Sequence, residues 1–427
     1  MGEIQLVQLN VKNNRVDYWF TATEDIQSFF APSMHMFAQY DRSIEKVPES
    51  ILVIPFLSNV MQIAWLTDAT VKVKNVDTVF YDSLLHLRDA YRKMYPHCPL
   101  GGSLQAVREE NEAASYPTKS AQMYTGGMDA VTTFIRHQQE YPLLILEYGF
   151  YQESLIKVNQ YDQDKKSERN FTADCLAAAE FAQGHETTTA FIRANYGTFV
   201  NSAVVDKHFK ESMGDTYWHG LHHAMAILGT AAPVAYLENV RTLYIASSFS
   251  VGNTYPCASD PTTDNEFRFA GTAVVHDGYE MTDQDKARMI VNYQKKTGMP
   301  LPLRVCSWND HNCCSCEKCL RRMLQLNAEG GDPHNFGFSY DTSVLDAVTI
   351  YLGKEIQFFT TKNIDKWRCI ICRMEENYGN LFDKNVYEYL KDYNFEKEKK
   401  IGLWRYYYKN FFSILRRKIK NLFIRGN

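Results

Sequence analysis

Hydrophobic positions in the first hundred residues follow two different periods. Short runs with strand character occur at 4–11, 51–55 and 69–73. Apolar residues between 78 and 95 instead recur at helical spacing. Two adjacent glycines at 101 and 102 and the polar run 108–115 come next, and both are typical of a linker. The pattern therefore predicts a smaller N-terminal α/β domain over residues 1–115.

From residue 120 onward, strand patterns and helix patterns alternate. Strands are predicted at 120–124, 143–148, 187–194, 240–246 and 273–276. Helices are predicted from Ala130 and at 173–182, 217–228 and 283–293, with a polar loop at 252–265. Such alternation is typical of a parallel sheet flanked by helices. The fold class is therefore predicted as α/β, with a catalytic domain at 116–345 and a helical C-terminal region at 346–427.

The composition is that of a globular protein. Of the 427 residues, 45% are apolar and 22% are charged, close to the average for folded domains. At roughly 150 residues per domain, this length fits two or three domains. No run approaches the ~18 apolar residues of a membrane-spanning helix, and the first residues lack the pattern of a signal peptide. We therefore expect a cytoplasmic protein.

Charge is distributed unevenly along the chain. Segment 397–427 has ten basic residues and one acidic residue and so carries +9, which leaves −13 on residues 1–396 of a chain whose total is −4. An acidic body repels the phosphate backbone of nucleic acid. We therefore expect a small molecule, and not nucleic acid, as the main partner.

The basic segment 397–427 is also amphipathic. Its large apolar residues are spaced so that they share one face of a helix: Trp404, Tyr408, Phe411, Phe412, Leu415, Ile419, Leu422 and Phe423. A helix of this kind packs on the acidic body of its own chain, or contacts an anionic membrane surface or an acidic partner. We expect packing on the body, with peripheral membrane contact as the alternative.

Two adjacent glycines precede the predicted helix at Ala130. In the sequence Thr125-Gly126-Gly127-Met128-Asp129, the glycines allow a tight turn with exposed backbone N–H groups, and the positive end of the helix points at that turn. Thr125 adds a hydroxyl donor, and Asp129 orders the loop or holds the Mg²⁺ that accompanies ATP. The turn therefore predicts a pyrophosphate site. The alternative is an ordinary strand-to-helix loop.

Five of the ten cysteines fall within fourteen residues. Cys306, Cys313, Cys316 and Cys319 form two nested C-x2-C knuckles with one cysteine upstream, the spacing of a tetrahedral structural zinc site. We therefore expect Zn²⁺ in a knuckle at 303–328, with Cys314 as the spare thiol. The remaining pair, Cys369 and Cys372, lies in an apolar run and is predicted to be buried.

Three histidines cluster in the predicted helix 217–228. His219 and His223 are four residues apart, as two metal ligands on one helix face would be. No glutamate follows the first histidine, which argues against an H-E-x-x-H metal site. We therefore expect His219, His222 and His223 to be polar residues of the helix surface, with ligand contact by His223 as the alternative.

These motifs resemble those of a known enzyme superfamily. The segment 124–130 resembles the S-G-G-x-D-S signature of the PP-loop ATP pyrophosphatases, with Thr125 for the first serine and Ala130 for the last. A PP-loop followed by a four-cysteine knuckle is similar to the 7-cyano-7-deazaguanine synthase branch. The stretches 244–248, 276–278 and 312–321 more closely resemble the family that includes the bacterial UDP-N-acetylmuramoyl-L-alanyl-L-glutamate epimerase.

The resemblance implies both a fold and an activity. The implied fold is the PP-loop or HUP-type sheet of the adenine nucleotide alpha hydrolases. The implied reaction is ATP-dependent activation of a carboxylate as an acyl-adenylate, with release of pyrophosphate and AMP. A small or peptidyl carboxylate would be the substrate, and epimerisation linked to cell-wall or surface-polysaccharide metabolism one outcome. Two positions depart from the family pattern: Tyr151 stands where aspartate is frequent, and Asp283 where arginine is frequent.

The resemblance also implies roles for residues beyond the glycine turn. Ser247 and Ser248 would assist nucleotide binding, and His276 and Asp277 lie beyond a strand end, where ligands of open α/β sheets gather. His276 would act as the base, because histidine titrates near neutral pH. Lys286 would hold a phosphate or carboxylate. The alternative for 276–278 is a strand-end turn.

Three functional hypotheses therefore remain open. The first is a carboxylate-adenylating enzyme. The second is a deazapurine amidating or nitrile-forming synthase, which ammonia dependence would mark. The third is a catalytically weak, zinc-braced scaffold that binds a nucleotide, and it is favoured by Ala130 and Tyr151.

Overall fold

The computed structural model describes residues 2–112, 119–151, 164–252 and 255–424, with side chains described except at 164–169 and 414–424. The chain forms two compact units, Met1–Thr282 and Asp283–Asn427. The boundaries predicted from the sequence, at 115 and 345, differ from this division. Each unit is described by itself.

One mixed sheet of eleven strands forms the centre of the first unit. The strands are β1 (Glu3–Lys12), β2 (Arg15–Ala22), β3 (His35–Tyr40), β4 (Thr70–Asp77), β5 (Ser103–Glu109), β6 (Lys119–Met123), β7 (Leu143–Tyr148), β8 (Thr189–Ala194), β9 (Val240–Ala246), β10 (Arg268–Phe269) and β11 (Thr272–Asp277). Their order across the sheet is β10-β11-β9-β6-β7-β8-β3-β2-β1-β4-β5. The predicted α/β class with a largely parallel sheet is therefore confirmed.

Helices flank the sheet in the first unit and make up the second. In the first unit they are α1 (Glu49–Leu52), α2 (Ile54–Thr67), α3 (Thr78–Met94), α4 (Met128–His137), α5 (Asp164–Gly184), α6 (Tyr196–Phe199), α7 (Ser202–Met213), α8 (His223–Leu237) and α9 (Pro261–Asp264). In the second they are α10 (Asp283–Thr297), α11 (Glu317–Ala328), α12 (Val344–Glu355), α13 (Thr361–Glu376), α14 (Lys384–Leu390) and α15 (Phe395–Ile424). Among the described residues, none of these helices combines the length and the apolar composition needed to span a lipid bilayer.

Five neighbouring strands of the sheet run parallel to one another. Their order is β11-β9-β6-β7-β8, so the chain builds outward from β6 through β7 to β8, then returns to the other side of β6 with β9 and β11. The direction of winding therefore reverses between β6 and β9. In an open α/β sheet, such a reversal leaves a crevice at the carboxyl ends of the two strands, and ligands bind there.

The N-terminal strands extend this same sheet. β3 pairs antiparallel with β8 through Ala38 and Ala194, β2 and β1 follow antiparallel, and β4 and β5 continue parallel to β1. Residues 1–115 therefore do not form a separate sheet. The predicted boundary at 115 falls inside one continuous structure, because the pairing of β3 with β8 joins segments about 150 residues apart, which local patterns do not reveal.

The prediction of a strand at 51–55 is wrong, because these residues form the end of α1, the start of α2 and the cap residue Val53 between them. Every residue of α2 except Thr67 is buried, so the helix has almost no solvent-exposed face, and its first residues read as a continuous apolar run. It packs against α8, which is also largely buried. The two helices approach closely at Gly229, where an added Cβ would lie 2.1 Å from Ser58 Oγ.

The second unit packs around α11. Trp367 of α13 is fully buried, and its indole N–H donates to Glu317 Oε1 at 3.2 Å. The same carboxylate oxygen accepts from Arg321 Nε at 2.9 Å. These bonds fix the orientation of α13 on α11. Cys369 and Cys372, which were predicted to be buried, lie on the exposed face of α13, because Trp367, Ile370 and Met374 occupy its buried face.

Candidate functional site

The glycine turn lies at the carboxyl end of β6, beside the reversal of the sheet. β6 ends at Met123 and α4 begins at Met128, two residues before the predicted start. Gly126 adopts a φ of +70°, a conformation that glycine reaches without the strain a Cβ would cause. Gly127 is the N-cap residue of α4. The N–H groups of the first helical turn therefore point toward the turn, where they favour an anion.

Two predicted ligand residues of this turn have different surroundings. Thr125 is exposed, so its hydroxyl is accessible at the strand end. Asp129 lies in the first turn of α4, where the partial positive charge of the helix N-terminus stabilises a carboxylate. Met128 is buried and contributes its backbone alone. The turn can therefore offer backbone donors, one hydroxyl and one carboxylate.

Ser247 and Ser248 follow β9, on the other side of the sheet reversal. Ser247 is buried; its N–H donates to Asp277 O at 2.8 Å, and its hydroxyl donates to Phe249 O at 2.8 Å. The Ser247 side chain therefore shapes its own loop. Ser248 is exposed. The structure thus brings Thr125 and Ser248 to the carboxyl ends of neighbouring strands, as the sequence predicts.

Asp277 ties the last parallel strand to α4. Its buried carboxylate accepts hydrogen bonds from three side chains of that helix: Thr133 Oγ1 at 2.8 Å, Arg136 Nε at 3.1 Å and His137 Nε2 at 3.1 Å. Burial raises the pKa of Asp277, but the hydrogen bonds and the charge of Arg136 outweigh burial, so its pKa lies below the ordinary value. Asp277 is therefore an ionised residue that positions α4, and the sequence analysis did not identify its three partners.

The Asp277–His137 pair predicts a pH-dependent contribution to stability. Burial lowers the pKa of His137, but the hydrogen bond and the charge of Asp277 outweigh burial, and its pKa lies above the ordinary value. The imidazolium therefore stabilises the fold fully below about pH 6.5, and this contribution disappears as the pH rises through the folded pKa. Asp277 stays ionised until strongly acidic pH, because its own pKa is lowered.

Urea unfolding of the natural chain and of His137→Gln at pH 6 and pH 9 measures this effect. Glutamine keeps a hydrogen-bond donor but removes the charge. We expect the natural chain to be more stable than the variant by roughly 1 kcal/mol at pH 6, with a smaller difference at pH 9. A difference that does not change with pH would show that the charge of His137 contributes nothing.

His276 forms a buried pair with Asp264, a residue that the sequence analysis did not single out. His276 Nδ1 lies 2.7 Å from Asp264 Oδ2, and both side chains are almost fully buried. The Asp264 carboxylate is therefore the partner of Nδ1, and Nε2 lies on the other side of the ring. Nε2 has no hydrogen-bond partner among the described residues. Asp264 is itself held by Ser259 Oγ at 2.6 Å.

The two candidates at the end of β11 therefore have separate environments. Successive residues of a strand point to opposite faces of its sheet, so Asp277 reaches α4 whereas His276 reaches the segment that contains Asp264. The pairing of a histidine with a buried carboxylate is the arrangement that orients a general base. The strand-end turn considered for 276–278 is therefore only part of the role of these residues.

Lys286, the remaining candidate, belongs to the second unit. It is buried in α10, three residues after Asp283. The Asp283 carboxylate is 3.3 Å from Arg321 Nη1 and 3.2 Å from Arg322 Nη1. Asp283 therefore ties α10 to α11, which gives a structural role to one of the two departures from the family pattern.

The four predicted zinc ligands converge in the second unit. The Sγ atoms of Cys306, Cys313, Cys316 and Cys319 all lie within 4.8 Å of one another, and the Sγ atoms of Cys313 and Cys319 are 3.9 Å apart. A tetrahedral zinc ion with Zn–S bonds of about 2.3 Å separates its sulfur ligands by about 3.8 Å. The cluster therefore fits a structural metal ion such as Zn²⁺, and the four thiolates would complete its coordination.

Hydrogen bonds between side chains and backbone N–H groups hold the cysteine cluster in place. Asn312 Oδ1 accepts from the N–H groups of Val305 and Cys306 at 3.0 and 3.3 Å, and Cys316 is the N-cap residue of α11, where its Sγ accepts from the N–H of Cys319. Cys314 adopts a φ of +50°, and burial raises the pKa of its thiol to about 11. Cys314 is therefore the spare thiol, as predicted.

The three clustered histidines do not form a metal site. His222 is buried, where its Nε2 is 2.8 Å from Asn59 Oδ1, and burial lowers its pKa to about 3. His223 Nδ1 bonds to Trp218 O at 3.0 Å, and His219 Nδ1 lies 2.8 Å from Asp215 Oδ2. The expectation of surface histidines is therefore wrong for His222, a neutral core residue.

Comparison with known proteins does not assign the chain to a family. No protein-family model, curated protein or solved structure matches it significantly.

Proposed function

We propose that this chain is an ATP-dependent enzyme of the PP-loop type that activates a small or peptidyl carboxylate as an acyl-adenylate. The observation that carries the proposal is the position of the Gly126–Gly127 turn, between the first strand of a five-stranded parallel array and a helix, where the winding of the sheet reverses. That position is where open α/β sheets bind phosphorylated ligands.

The strand order supports the PP-loop interpretation. If the five parallel strands are numbered 1 to 5 in chain order, starting from β6, their order across the sheet is 5-4-1-2-3. This order is doubly wound, and the glycine turn follows the first of these strands, β6. Thr125 and the backbone of 126–128 would bind the pyrophosphate part of ATP. Asp129 would supply a carboxylate oxygen, the ligand type that Mg²⁺ prefers.

The residues around the glycine turn could assist adenylation of a carboxylate. A carboxylate oxygen of the substrate would attack the α-phosphorus of ATP, forming the acyl-adenylate as the bond to pyrophosphate breaks. The positive end of α4 would stabilise the departing pyrophosphate. Adenylation neutralises the carboxylate and acidifies the adjacent C–H, so a base can then remove the α-proton. His276, oriented by Asp264, is our candidate for this base. After the proton returns to the α-carbon, attack of water on the mixed anhydride would release AMP and the carboxylate.

A nucleotide-binding scaffold of low activity is the second candidate. Ala130 replaces the last serine of the signature, so the site lacks the hydroxyl of that serine. The Ala130 side chain is buried. Tyr151, the other departure, packs edge-on against Phe37 at 5.7 Å, and its N–H donates to Ala194 O. Both positions therefore have packing roles, a feature expected of a scaffold that has lost turnover.

Incubation with ATP, Mg²⁺ and a panel of amino-acid and peptidyl carboxylates tests the proposal. We expect pyrophosphate and AMP in equal amounts, formed only when the correct carboxylate is present. His276→Gln should slow exchange of the substrate α-hydrogen with solvent deuterium by about 100-fold without changing ATP affinity, whereas His86→Gln, at an exposed histidine of the same unit, should have no effect.

Other outcomes of this assay would overturn the proposal. ATP binding without turnover across the panel would favour the scaffold. Turnover that requires ammonia would favour the deazapurine synthase branch. Full activity in His276→Gln would remove that residue from the mechanism.

A further inference from the structure

The first part of the last helix, α15, packs against other residues of the second unit. Phe395 is buried and packs against Phe359 and Trp367, with ring centroids 6.3 and 6.0 Å apart. At Gly402 the helix passes so close to the turn Ile356–Phe358 that an added Cβ would lie 2.9 Å from Ile356 Cγ2. Residues 395–402 therefore anchor the helix, and one further ring contact follows, between Tyr406 and Phe358 at 5.7 Å.

Beyond this anchored part, α15 exposes a dense set of aromatic side chains. More than half of the surface of each of the following rings is accessible to solvent: Trp404, Tyr407, Tyr408, Phe411 and Phe412. Two of the ring contacts that they make are with each other, between Trp404 and Tyr408 at 5.6 Å and between Phe411 and Phe412 at 5.5 Å. The expectation that this segment packs on the body of its own chain is therefore wrong for these residues.

The charge of the same segment favours one kind of partner. Arg405 and Lys409 lie among the exposed rings, and the sequence continues with Arg416, Arg417, Lys418 and Lys420. No acidic residue follows Glu398. Exposed tryptophan and tyrosine rings are suited to the boundary between lipid headgroups and acyl chains, and clustered lysine and arginine attract anionic headgroups.

We propose that residues 404–424, named here the aromatic segment, bind the surface of an anionic lipid bilayer. The rings of 404, 408, 411 and 412 would enter the interface with the helix axis parallel to the membrane, while the basic residues contact lipid phosphates. An acidic protein would satisfy the charges, but it would need an apolar groove that matches four large rings. An anionic lipid interface accommodates both the exposed rings and the basic residues. This inference is independent of the proposed nucleotide chemistry.

Co-sedimentation of the full chain with vesicles tests the inference. With vesicles of phosphatidylcholine and 30% phosphatidylserine, we expect binding at least about tenfold stronger than with phosphatidylcholine alone, decreasing at high salt. The triple variant Tyr408→Ser, Phe411→Ser, Phe412→Ser should lose at least about ninety per cent of this binding. A control with serine at Leu176 and Ile350, two exposed apolar residues elsewhere in the chain, should bind like the natural chain.

Circular dichroism and sedimentation velocity of the same proteins separate the remaining explanations. An unchanged helical spectrum in the triple variant would show that the loss of binding is not unfolding. Absence of binding to anionic vesicles, or equal binding by the triple variant, would overturn the inference. Self-association that the triple variant abolishes, without vesicle binding, would assign the aromatic segment to a second copy of the chain.

Discussion

Replacement of Cys319 by serine is expected to prevent zinc binding at the four-cysteine cluster and to unfold the second unit. Cys319 is fully buried at the start of α11, the helix on which α13 packs through Trp367 and Glu317. Zinc binding contributes about 10–16 kcal/mol to small domains organised by such sites, which is as large as the ~5–15 kcal/mol net stability of a typical domain. Loss of one ligand should therefore abolish the cooperative unfolding transition of this unit.

Zinc content by mass spectrometry and thermal unfolding by circular dichroism measure this effect. Cys314→Ser is the matched control, because Cys314 is adjacent to a ligand and buried but does not belong to the four-sulfur cluster. We expect one zinc per chain in the natural protein and in Cys314→Ser, and less than about a tenth of that in Cys319→Ser. Full zinc content in Cys319→Ser, or its loss in Cys314→Ser, would show that the ligand set is wrong.

Replacement of Gly126 by alanine is expected to weaken ATP binding by at least about tenfold. The positive φ of Gly126 strains any residue with a Cβ by about 1 kcal/mol, and the added methyl group would also obstruct the approach of a phosphate to the backbone. Gly214→Ala is the matched control. Gly214 has nearly the same φ, +71°, and nothing lies within 4 Å of an added Cβ.

The two glycine variants should differ in function but not in stability. Because the backbone strain is the same, both should lose about 1 kcal/mol of the free energy of unfolding. Only Gly126→Ala should bind ATP more weakly. Equal ATP affinity in the two variants would mean that the glycine turn does not contact the nucleotide.

Features determined by short segments could be predicted from the sequence. The bounds of β7 and β9 agree with the predicted strands at 143–148 and 240–246, because both strands are short apolar runs of a parallel sheet between polar segments. The cysteine cluster was predictable for a similar reason. Three of its ligands, Cys313, Cys316 and Cys319, fall within seven residues, so their spacing already restricts the geometry.

Features determined by distant pairing could not be predicted. Helix α2 is buried on almost every side, so its sequence 54–67 lacks the solvent-exposed polar face that marks most helices. The continuity of the sheet depends on the pairing of Ala38 with Ala194. No local pattern in either segment encodes that pairing, and the predicted domain boundary at 115 was misplaced for this reason.

The candidate site likewise contains residues that a short segment identifies and residues that only the fold brings together. The glycine turn and His276 were identified from residue type and resemblance, whereas Asp264 lies in a segment predicted to be a polar loop. Its role depends on the return of that loop to β11, which only the fold reveals. The α4 residues that hold Asp277 did carry a signal, because Arg136 and His137 lie three and four positions after Thr133 and therefore share its helix face.

Calorimetric titration of the zinc-replete natural chain with ATP and Mg²⁺ tests the central claim most directly. The claim is that the Gly126–Gly127 turn at the reversal of the sheet binds the phosphates of an adenine nucleotide. It predicts saturable binding of one ATP per chain, with a dissociation constant between about 1 μM and 1 mM that increases in Gly126→Ala and not in Gly214→Ala. A folded, zinc-containing chain that takes up no ATP, ADP or AMP would contradict the claim.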